Sequence, residues 1–355
     1  MRRPRRSGAA PAPPRGGYRG RVPSLSPAIA EIRRAVRTAL QPYAGSGTAI
    51  VALSGGADSL ALASATAFEA PKLGLAVRSV TVDHALQPGS AEAAADAAAA
   101  ATALGIDAAV VRVTVGGDGG PEAAARDARY RALAEAAQAT PGTVAVLLGH
   151  TLDDQAETVL LGLARGSGAS SLAGMAPARR DEATGVRWLR PLLAVRRDTA
   201  RAACAAAGLT PWDDPHNTDT RFARVRVRER VLPVLETELG PGVAEALART
   251  AEQLREDAEA FAEMIDETIE DIVQPAEAGI AVSVAALAAN PAALRHRIIR
   301  HVVASEFGAS LSRSQTWEVA RLVTDWSGQG PIDLPRCHAR RRGGLIEFTA
   351  GPEGT

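Results

Sequence analysis

A short polar segment, SGGADS at residues 54–59, has the residue types that a phosphate-binding loop needs. Gly55 and Gly56 let a backbone approach a phosphate closely, and the amides at the start of a following helix attract an anion. The serine hydroxyls can donate hydrogen bonds, and the carboxylate of Asp58 can hold Mg²⁺ through oxygen. The alternative is an ordinary strand-to-helix turn with a capping Ser or Asp. Six consecutive suitable positions favour the phosphate site: Ser54, Gly55, Gly56, Ala57, Asp58 and Ser59.

Two carboxylates further along the chain, Asp154 and Glu157, have a spacing that suits a helix. They lie three positions apart, shortly after an apolar run, and side chains at i and i+3 share one helix face. Paired carboxylates can bind ammonium groups or accept the proton of an attacking amine. Acids at a helix start also stabilise the helix dipole, and we prefer that structural role for Asp153.

Short apolar runs alternate with alanine-rich helical patterns, which predicts the elements that carry these side chains. Strands are expected at 49–53, 77–82, 108–113 and 143–148, and helices near 57–70, 90–104, 121–139 and 154–165. Apolar strands joined by helices predict an α/β fold with a doubly wound parallel sheet, whose ligands bind at the carboxyl ends of the strands. Asp83 and His84 follow the second strand, where nucleotide contacts belong, although His84 could equally be structural.

Beyond about residue 215 the strand pattern ends. Apolar residues recur at helical spacing among nine acids between Glu252 and Asp271, which predicts an amphipathic helix with a solvated acidic side. More helix is expected through about residue 325, and residues 331–348 predict a short terminal hairpin. The predicted divisions are a leader with the start of the first helix at 1–40, the sheet domain at 41–215, a linker helix region at 216–250 and a helical domain at 251–350.

The formal net charge is zero, from 40 basic and 40 acidic residues, but the charges are unevenly distributed. The first 40 residues hold ten arginines and one acid, so the remainder carries a net charge of −9. A count over the whole chain argues against a nucleic-acid partner, whereas a count by segment does not. We expect the leader to be disordered, as an arm for RNA or as an inert extension.

The two cysteines, Cys204 and Cys337, are too few and too far apart for a disulfide scaffold or a CxxC metal site. A reducing compartment fits this usage, and the leader lacks the apolar region of a secretory signal. No run of about 18 apolar residues is present to span a membrane. These features favour a cytoplasmic location.

Several segments, taken in chain order, resemble the bacterial tRNA(Ile)-lysidine synthetases across about residues 47–235. SGGADS looks like the PP-loop of the N-type ATP pyrophosphatases, which cleave ATP between its α and β phosphates. It matches neither the Walker A nor the dinucleotide-binding pattern. The further segments that carry the resemblance are VDHALQPGS, EAAARDARYRAL, GHTLDDQAETVLLGLARGSG, RPLL and DPHNTDTRFARVRVRERVLP.

This resemblance implies a two-step reaction. ATP would adenylylate the 2-carbonyl oxygen of the wobble cytidine in an isoleucine tRNA with a CAU anticodon, and the ε-amine of free lysine would then displace AMP to give lysidine. The implied architecture is a Rossmann-like PP-loop domain followed by a smaller, mainly α-helical domain that binds tRNA. ATP and Mg²⁺ are the expected cofactors, with Asp58 as the metal ligand.

The resemblance also implies roles for individual side chains. Arg129 would steady phosphate charge as pyrophosphate departs, and Asp154 and Glu157 would handle the lysine. Contacts with tRNA phosphates are expected from an arginine-rich run, with a solvated helix start as the alternative. The expected catalytic residues are Asp58, Arg129, Asp154 and Glu157. In addition to the SGGADS segment, Asp83 and His84 are expected to contact the nucleotide. The expected tRNA contacts are Arg221, Arg224, Arg226 and Arg228.

Two other functions remain open on the sequence alone. A PP-loop tRNA thiolation enzyme would generally need cysteines beside its motifs, and neither cysteine of this chain borders one. A non-catalytic ATP- or AMP-binding protein would need neither the paired carboxylates nor Arg129. Gln87 stands where many family members have arginine, which puts the role of its loop in question. Some relatives also have a further C-terminal domain, and a homodimer could compensate for its absence.

Overall fold

The computed structural model describes residues 26–85, 87, 89–116, 121–166, 168–214, 218–277 and 279–351. The chain forms two compact units. The first unit comprises Met1–Leu152 and Pro177–Asn217, and the second comprises Asp153–Ala176 and Thr218–Thr355. Residues 1–25 of the leader lie outside the described residues, so the disorder expected there stays a prediction, as do the domain boundaries.

The α-helices of the described ranges fall in both units. They are α1 (Pro27–Leu40), α2 (Ala57–Glu69), α3 (Ser90–Ala103), α4 (Pro121–Ala139), α5 (Leu152–Ala164), α6 (Ala169–Leu172), α7 (Arg197–Ala206), α8 (Ala223–Arg226), α9 (Leu232–Glu238), α10 (Val243–Ile272), α11 (Val284–Ala289), α12 (Ala292–Phe307) and α13 (Arg313–Thr324). A π-helical segment, Val227–Val231, joins α8 to α9. Among the described residues, no helix is both long and apolar enough to cross a membrane.

The strands form one sheet in each unit. They are β1 (Gly47–Ala52), β2 (Leu75–Asp83), β3 (Asp107–Arg112), β4 (Thr143–Leu147), β5 (Ala178–Arg180), β6 (Arg187–Leu189), β7 (Val273–Ala276), β8 (Gly279–Ser283), β9 (Ile332–Leu334), β10 (Cys337–Arg342) and β11 (Leu345–Ala350).

The sheet of the first unit has six strands in the order β3-β2-β1-β4-β6-β5. Neighbouring strands are parallel except β5, which runs antiparallel to β6. In β1, Ala49 and Val51 pack into one apolar cluster and Ile50 into another, so both faces of the strand are buried. Burial on both faces requires a near-continuous apolar strand. The predicted doubly wound α/β domain is confirmed.

The predicted strands and helices up to residue 165 agree with the structure to within about two residues at each end. The sequence did not predict β5 and β6. Each has three residues, and all three residues of β5 are exposed. A strand of that length and exposure produces no apolar alternation that could be recognised.

The second unit contains an antiparallel sheet in the order β7-β8-β11-β10-β9. Its core joins residues of the helices, such as Ile298, to Ile346 and Phe348 of β11. The mainly helical character and the terminal hairpin, β10 with β11, are confirmed. The expectation that no other strands follow residue 215 is wrong. β7 and β8 have four and five residues, and Pro275 lies within β7, so neither shows the length and alternation typical of a strand.

Candidate functional site

The SGGADS segment joins β1 to α2 in the first unit. Gly55 has a φ of +82°, a left-handed conformation that glycine adopts without strain. A Cβ atom on Gly55 would lie 3.3 Å from the Cβ of Ala97. Gly56 precedes α2, and no side chain among the described residues caps the helix there. The first amides of α2 are therefore available to an anion such as a phosphate.

The two serines of this segment bond to each other. The backbone N–H and the hydroxyl of Ser54 both lie 3.2 Å from Oγ of Ser59. Oγ of Ser59 in turn donates to the backbone carbonyl of Gly56 at 2.9 Å. Ser59 is buried, so its hydroxyl fixes the shape of the loop. Direct bonds from these serines to a phosphate stay a prediction.

Asp58 lies in the first turn of α2, with 27% of its side chain exposed. Its Oδ2 is 3.8 Å from Nε of Arg197, on α7. Within the described ranges, no three His, Cys, Asp or Glu side chains are grouped to hold a metal ion. One protein carboxylate suits Mg²⁺ that takes its other ligands from phosphate and water.

The end of β2 carries the predicted nucleotide contacts. Oδ1 of Asp83 accepts a hydrogen bond from the backbone N–H of Ala85 at 2.9 Å, and Ala85 has a φ of +52°. This bond is the main reason that the pKa of Asp83 lies below its usual range. Burial, followed by the positive charge of Arg129, lowers the pKa of His84. His84 is therefore neutral at pH 7 and can donate or accept a hydrogen bond.

Residues after α7 also contact these loops, and sequence reasoning missed them. The backbone N–H of Trp212 donates to the carbonyl of Gly55 at 3.0 Å. Nε2 of Gln87 donates to Oδ1 of Asp214 at 3.2 Å. Gln87, the residue that departs from the family pattern, thus bonds to a carboxylate. No local sequence signal marks such contacts, because Gln87 and Asp214 are 127 positions apart.

In the second unit, Arg228 brings Asp154 and Glu157 together. Nε and Nη2 of Arg228 donate to the two carboxylate oxygens of Glu157 at 2.8 and 3.1 Å. Nη2 also lies 3.6 Å from Oδ1 of Asp154. Arg224 donates to Oγ1 of Thr158 at 2.9 Å and lies 3.8 Å from Glu157. The buried carboxylate of Glu157 is thus compensated by two guanidinium groups.

The four arginines expected to contact tRNA divide into two pairs. Arg224 and Arg228 are directed at the carboxylates of α5. Nε of Arg221 donates to Oδ1 and Oδ2 of Asp219 at 3.1 and 2.9 Å, and Nη2 donates to Oδ2 at 2.7 Å. Arg226 donates to the backbone carbonyls of Thr220 and Arg221. Arg221 and Arg226 are exposed, so they are the members of the set that a large partner can reach.

Both units match known protein families. Residues 29–235 match the PP-loop domain, and residues 283–346 match the TilS substrate binding domain. The first match covers more than half of the chain, and it includes the SGGADS segment, the end of β2, Arg129, both carboxylates and the arginine run.

Several relatives that are similar to most of the chain carry one name. The chain is 59% identical over 309 residues to a tRNA(Ile)-lysidine synthase of Leifsonia xyli. The aligned residues cover 86% of this chain and 91% of the relative. It is 50% identical to the enzyme of that name from Thermobifida fusca, over 89% of this chain and 95% of the relative. Among solved structures, a U34-tRNA thiolase from Methanococcus maripaludis has a TM-score of 0.55 at 20% sequence identity. The superposed residues cover 64% of this chain and 80% of the thiolase chain. That likeness shows the fold alone.

Proposed function

The chain belongs to the tRNA(Ile)-lysidine synthase family, and from this premise we propose how its residues divide the reaction. It is a ligase that uses ATP and acts on isoleucine tRNA. The observation that best supports the division is that two groups of side chains belong to different units. A phosphate-type loop with Asp58 lies in the first unit, and a buried pair of carboxylates lies in the second.

In the first step, we assign ATP to the SGGADS loop. The 2-carbonyl oxygen of the wobble cytidine attacks the α-phosphorus, the bond between the α-phosphorus and the bridging oxygen breaks, and pyrophosphate leaves. The first amides of α2 and the guanidinium of Arg129 stabilise negative charge on the phosphates. Asp58 would hold Mg²⁺, which when bound neutralises phosphate charge. His84 and Asp83 would contact the nucleotide from the end of β2.

In the second step, we assign free lysine to Asp154 and Glu157. The ε-amine, after it has lost a proton to water, attacks C2 of the adenylylated cytidine. A C–N bond forms, the C2–O bond to AMP breaks, and AMP leaves. Two carboxylates on one helix face, compensated by arginines, form a suitable receptor for a charged amino acid.

Contacts with tRNA are proposed on exposed basic residues of the second unit. Arg221 and Arg226 are exposed in the arginine run. On α13, Trp317 is 52% exposed, and the guanidinium of Arg313 lies 5.0 Å from its ring centre. An exposed indole beside arginine suits an unpaired base and its phosphate. A cytoplasmic location and a homodimer stay predictions.

Thiolation of tRNA is less compatible with the structure. Cys204 and Cys337 are both buried, and burial raises the pKa of each thiol. The thiolate is the reactive form of cysteine. Neither side chain therefore suits a persulfide carrier, and the similarity of fold to a thiolase does not change this.

The proposed division can be tested with Asp58→Asn and Glu157→Gln, which keep the side-chain shapes. We expect Asp58→Asn to lower pyrophosphate release with tRNA about 100-fold or more. Glu157→Gln should raise the KM for lysine about 10- to 100-fold and leave tRNA-dependent pyrophosphate release within about twofold. Asp153→Asn, next to the proposed site, is the matched control and should change neither quantity by more than about threefold. Equal losses of pyrophosphate release in the first two variants, with an unchanged KM for lysine, would refute the division.

A further inference from the structure

Two arginines of α4, Arg126 and Arg129, hold their guanidinium groups against one aromatic ring. The central guanidinium carbon lies 5.0 Å from the ring centre of Tyr130 for Arg126 and 5.8 Å for Arg129. Both distances are within the range of about 6 Å over which a cation and an aromatic face attract each other. The two arginines are three positions apart, so their side chains share one face of the helix. One tyrosine thus brings two positive charges together.

Tyr130 is itself held in place by the sheet of the first unit. Its ring centre lies 4.8 Å from that of Trp188 on β6, and the two ring planes are inclined at 60°. Trp188 is 1% exposed and belongs to an apolar cluster that also contains Leu133 of α4. An inclined aromatic pair stabilises its members beyond the burial of their area. Arginines that pack against such a fixed ring lose less freedom when they bind a ligand.

The first turns of α4 belong to the carboxyl edge of the parallel sheet, because α4 follows β3. Ligands of such sheets bind at this edge, and SGGADS and the end of β2 lie there as well. Arg129 is close enough to His84, at the end of β2, for its positive charge to lower the pKa of that imidazole. The two guanidinium groups therefore belong to the edge at which we place the nucleotide.

The positive charge of Arg126 is not balanced by the protein. Arg126 is exposed, and no carboxylate in the described ranges forms an ion pair with its guanidinium. Neighbouring like charges on one helix face repel each other, and an anion that binds both groups relieves the repulsion. The β and γ phosphates of ATP have more negatively charged oxygens than one guanidinium can pair with. Their chemistry therefore suits a site with two arginines.

We propose that Arg126 is a second contact for the β and γ phosphates of ATP, and that Tyr130 is a positioning residue for Arg126 and Arg129. This inference rests on the proposed function, which assigns Arg129 to the reaction but neither Arg126 nor Tyr130. When the bond between the α-phosphorus and the bridging oxygen breaks, its electron pair stays with the oxygen of the departing pyrophosphate. Two guanidinium groups along the leaving group stabilise this added negative charge.

The ring of Tyr130, and not its hydroxyl, supports the arginines. The hydroxyl oxygen is buried and makes no hydrogen bond to any residue in the described ranges. A buried hydroxyl without a partner is unfavourable, so its removal should not destabilise the protein. Tyr130→Phe keeps the ring, whereas Tyr130→Leu removes it. The two variants therefore separate the contacts with the arginines from any effect of the hydroxyl.

The first test follows the formation of labelled AMP from ATP in the presence of isoleucine tRNA and lysine, with pyrophosphate or unlabelled AMP as the inhibitor. Arg126→Gln should raise the KM for ATP and the Ki for pyrophosphate about 10- to 100-fold, the size of a lost charge-assisted bond. The Ki for AMP, which has no β or γ phosphate, and the KM for lysine should stay within about twofold. Arg131→Gln, an exposed arginine of the same helix, is the matched control and should change none of these values. An unchanged Ki for pyrophosphate in Arg126→Gln would overturn the phosphate contact.

The second test uses the ring of Tyr130. Tyr130→Leu should raise the Ki for pyrophosphate about 5- to 30-fold, because both arginines lose their support, and Tyr130→Phe should recover it to within about threefold. Tyr43→Leu is the matched control, since the guanidinium of Arg187 lies 4.6 Å from the ring centre of Tyr43. Tyr43 precedes β1, at the opposite edge of the sheet from SGGADS, so its loss should leave the Ki unchanged. Tm measurements establish that each variant is folded.

The outcomes separate this proposal from the function on which it rests. Equal losses in Tyr130→Phe and Tyr130→Leu would show that the hydroxyl acts, and the positioning role of the ring would be rejected. Calorimetry with pyrophosphate on the full-length protein measures binding without any reaction. If the folded protein transfers no lysine but binds pyrophosphate through Arg126, the proposed function fails and the phosphate contact stands. If lysine transfer proceeds and pyrophosphate binding does not depend on Arg126, the proposal alone fails.

Discussion

Gln155, beside the proposed lysine residues on α5, serves the structure of the second unit. Its side-chain amide donates to the carbonyl of Met175 at 3.0 Å and accepts from the N–H of Met175 at 2.7 Å. Nη1 of Arg255 donates to the carbonyls of Ala173 and Met175. Gln155 is buried, and its two bonds to Met175 satisfy its polar atoms. Together with the bonds from Arg255, they hold the segment that follows α6.

Gly174 allows this contact, which leads to a prediction. It has a φ of +63°, and a Cβ atom there would lie 2.6 Å from Oε1 of Gln155. Gly174→Ala should lower the free energy of unfolding of the second unit by about 2–4 kcal/mol, from backbone strain and overpacking. Gly328→Ala is the control, because Gly328 has a φ of +88° and no atom within 4 Å of the added Cβ. Gly328→Ala should lower the free energy of unfolding by the backbone strain alone, about 1–2 kcal/mol. Equal losses in urea unfolding would show that the contact with Gln155 does not matter.

His84 predicts a dependence of stability on pH. Because its pKa is lowered in the folded protein, the unfolded chain binds a proton first as the pH falls. Stability is therefore complete above the ordinary histidine pKa of about 6.5 and decreases below it. His84→Gln removes this contribution, so the loss of unfolding free energy between about pH 7.5 and 5.5 should be smaller in the variant. Parallel pH profiles for the variant and the unmodified protein would contradict the assigned direction.

The sequence predicted the types of the site residues but not all of their partners. SGGADS could be identified because its chemistry lies in six consecutive positions. The bond between Arg228 and Glu157 joins residues 71 positions apart, and nothing local distinguishes Arg228 from Arg226. In the sequence, the run of arginines has the composition of a solvated helix start. Only the fold shows that two of the four arginines are directed at buried carboxylates.

At the scale of elements, the start of α10 depends on a side chain of the preceding helix. Oε2 of Glu236 accepts from the N–H groups of Gly242 and Val243 at 2.7 and 3.3 Å, and Oε1 accepts from that of Ala244 at 3.0 Å. These amides belong to the first turn, which has no partners within its own helix. One carboxylate therefore caps a 30-residue helix and offsets its dipole.

Removal of this cap should destabilise the second unit. Glu236→Ala should lower the free energy of unfolding by about 1–2 kcal/mol, since a lost cap and a lost charged acceptor have that magnitude. Glu238→Ala, two residues later and exposed, is the control and should change it by less than about 0.5 kcal/mol. Denaturant titration followed by circular dichroism compares the two, and similar losses would show that Glu236 is not the cap.

The elements that the sequence predicted well are those with a sustained pattern. The helix α10 has apolar residues at helical spacing, and β1 to β4 are apolar runs between helices, so their periodicity is visible locally. By contrast, β7 and β8 follow directly after α10, and their short segments contain Pro275 and Gly279. They become strands because β8 pairs with β11. This pairing between distant segments has no signature in either segment alone.

For the whole molecule, the formal net charge of zero conceals two opposite parts. The leader and first helix hold ten arginines, and the rest of the chain has a net charge of −9. The structure adds that some of the remaining positive charge is already paired, as Arg228 is with Glu157 and Arg221 with Asp219. We expect binding of tRNA by such a protein to depend on local exposed arginines and their spacing, about which the overall charge carries little information.

Transfer of labelled lysine to tRNA tests the central claim most directly. The purified full-length protein is incubated with ATP, labelled lysine and either isoleucine tRNA with a CAU anticodon or the same tRNA with the wobble cytidine replaced. We expect label in the first tRNA only, with one AMP and one pyrophosphate released for each lysine transferred, and none without ATP. If folded protein leaves the CAU tRNA unlabelled, or labels the two tRNAs equally, ATP-dependent transfer of lysine to the wobble cytidine is contradicted.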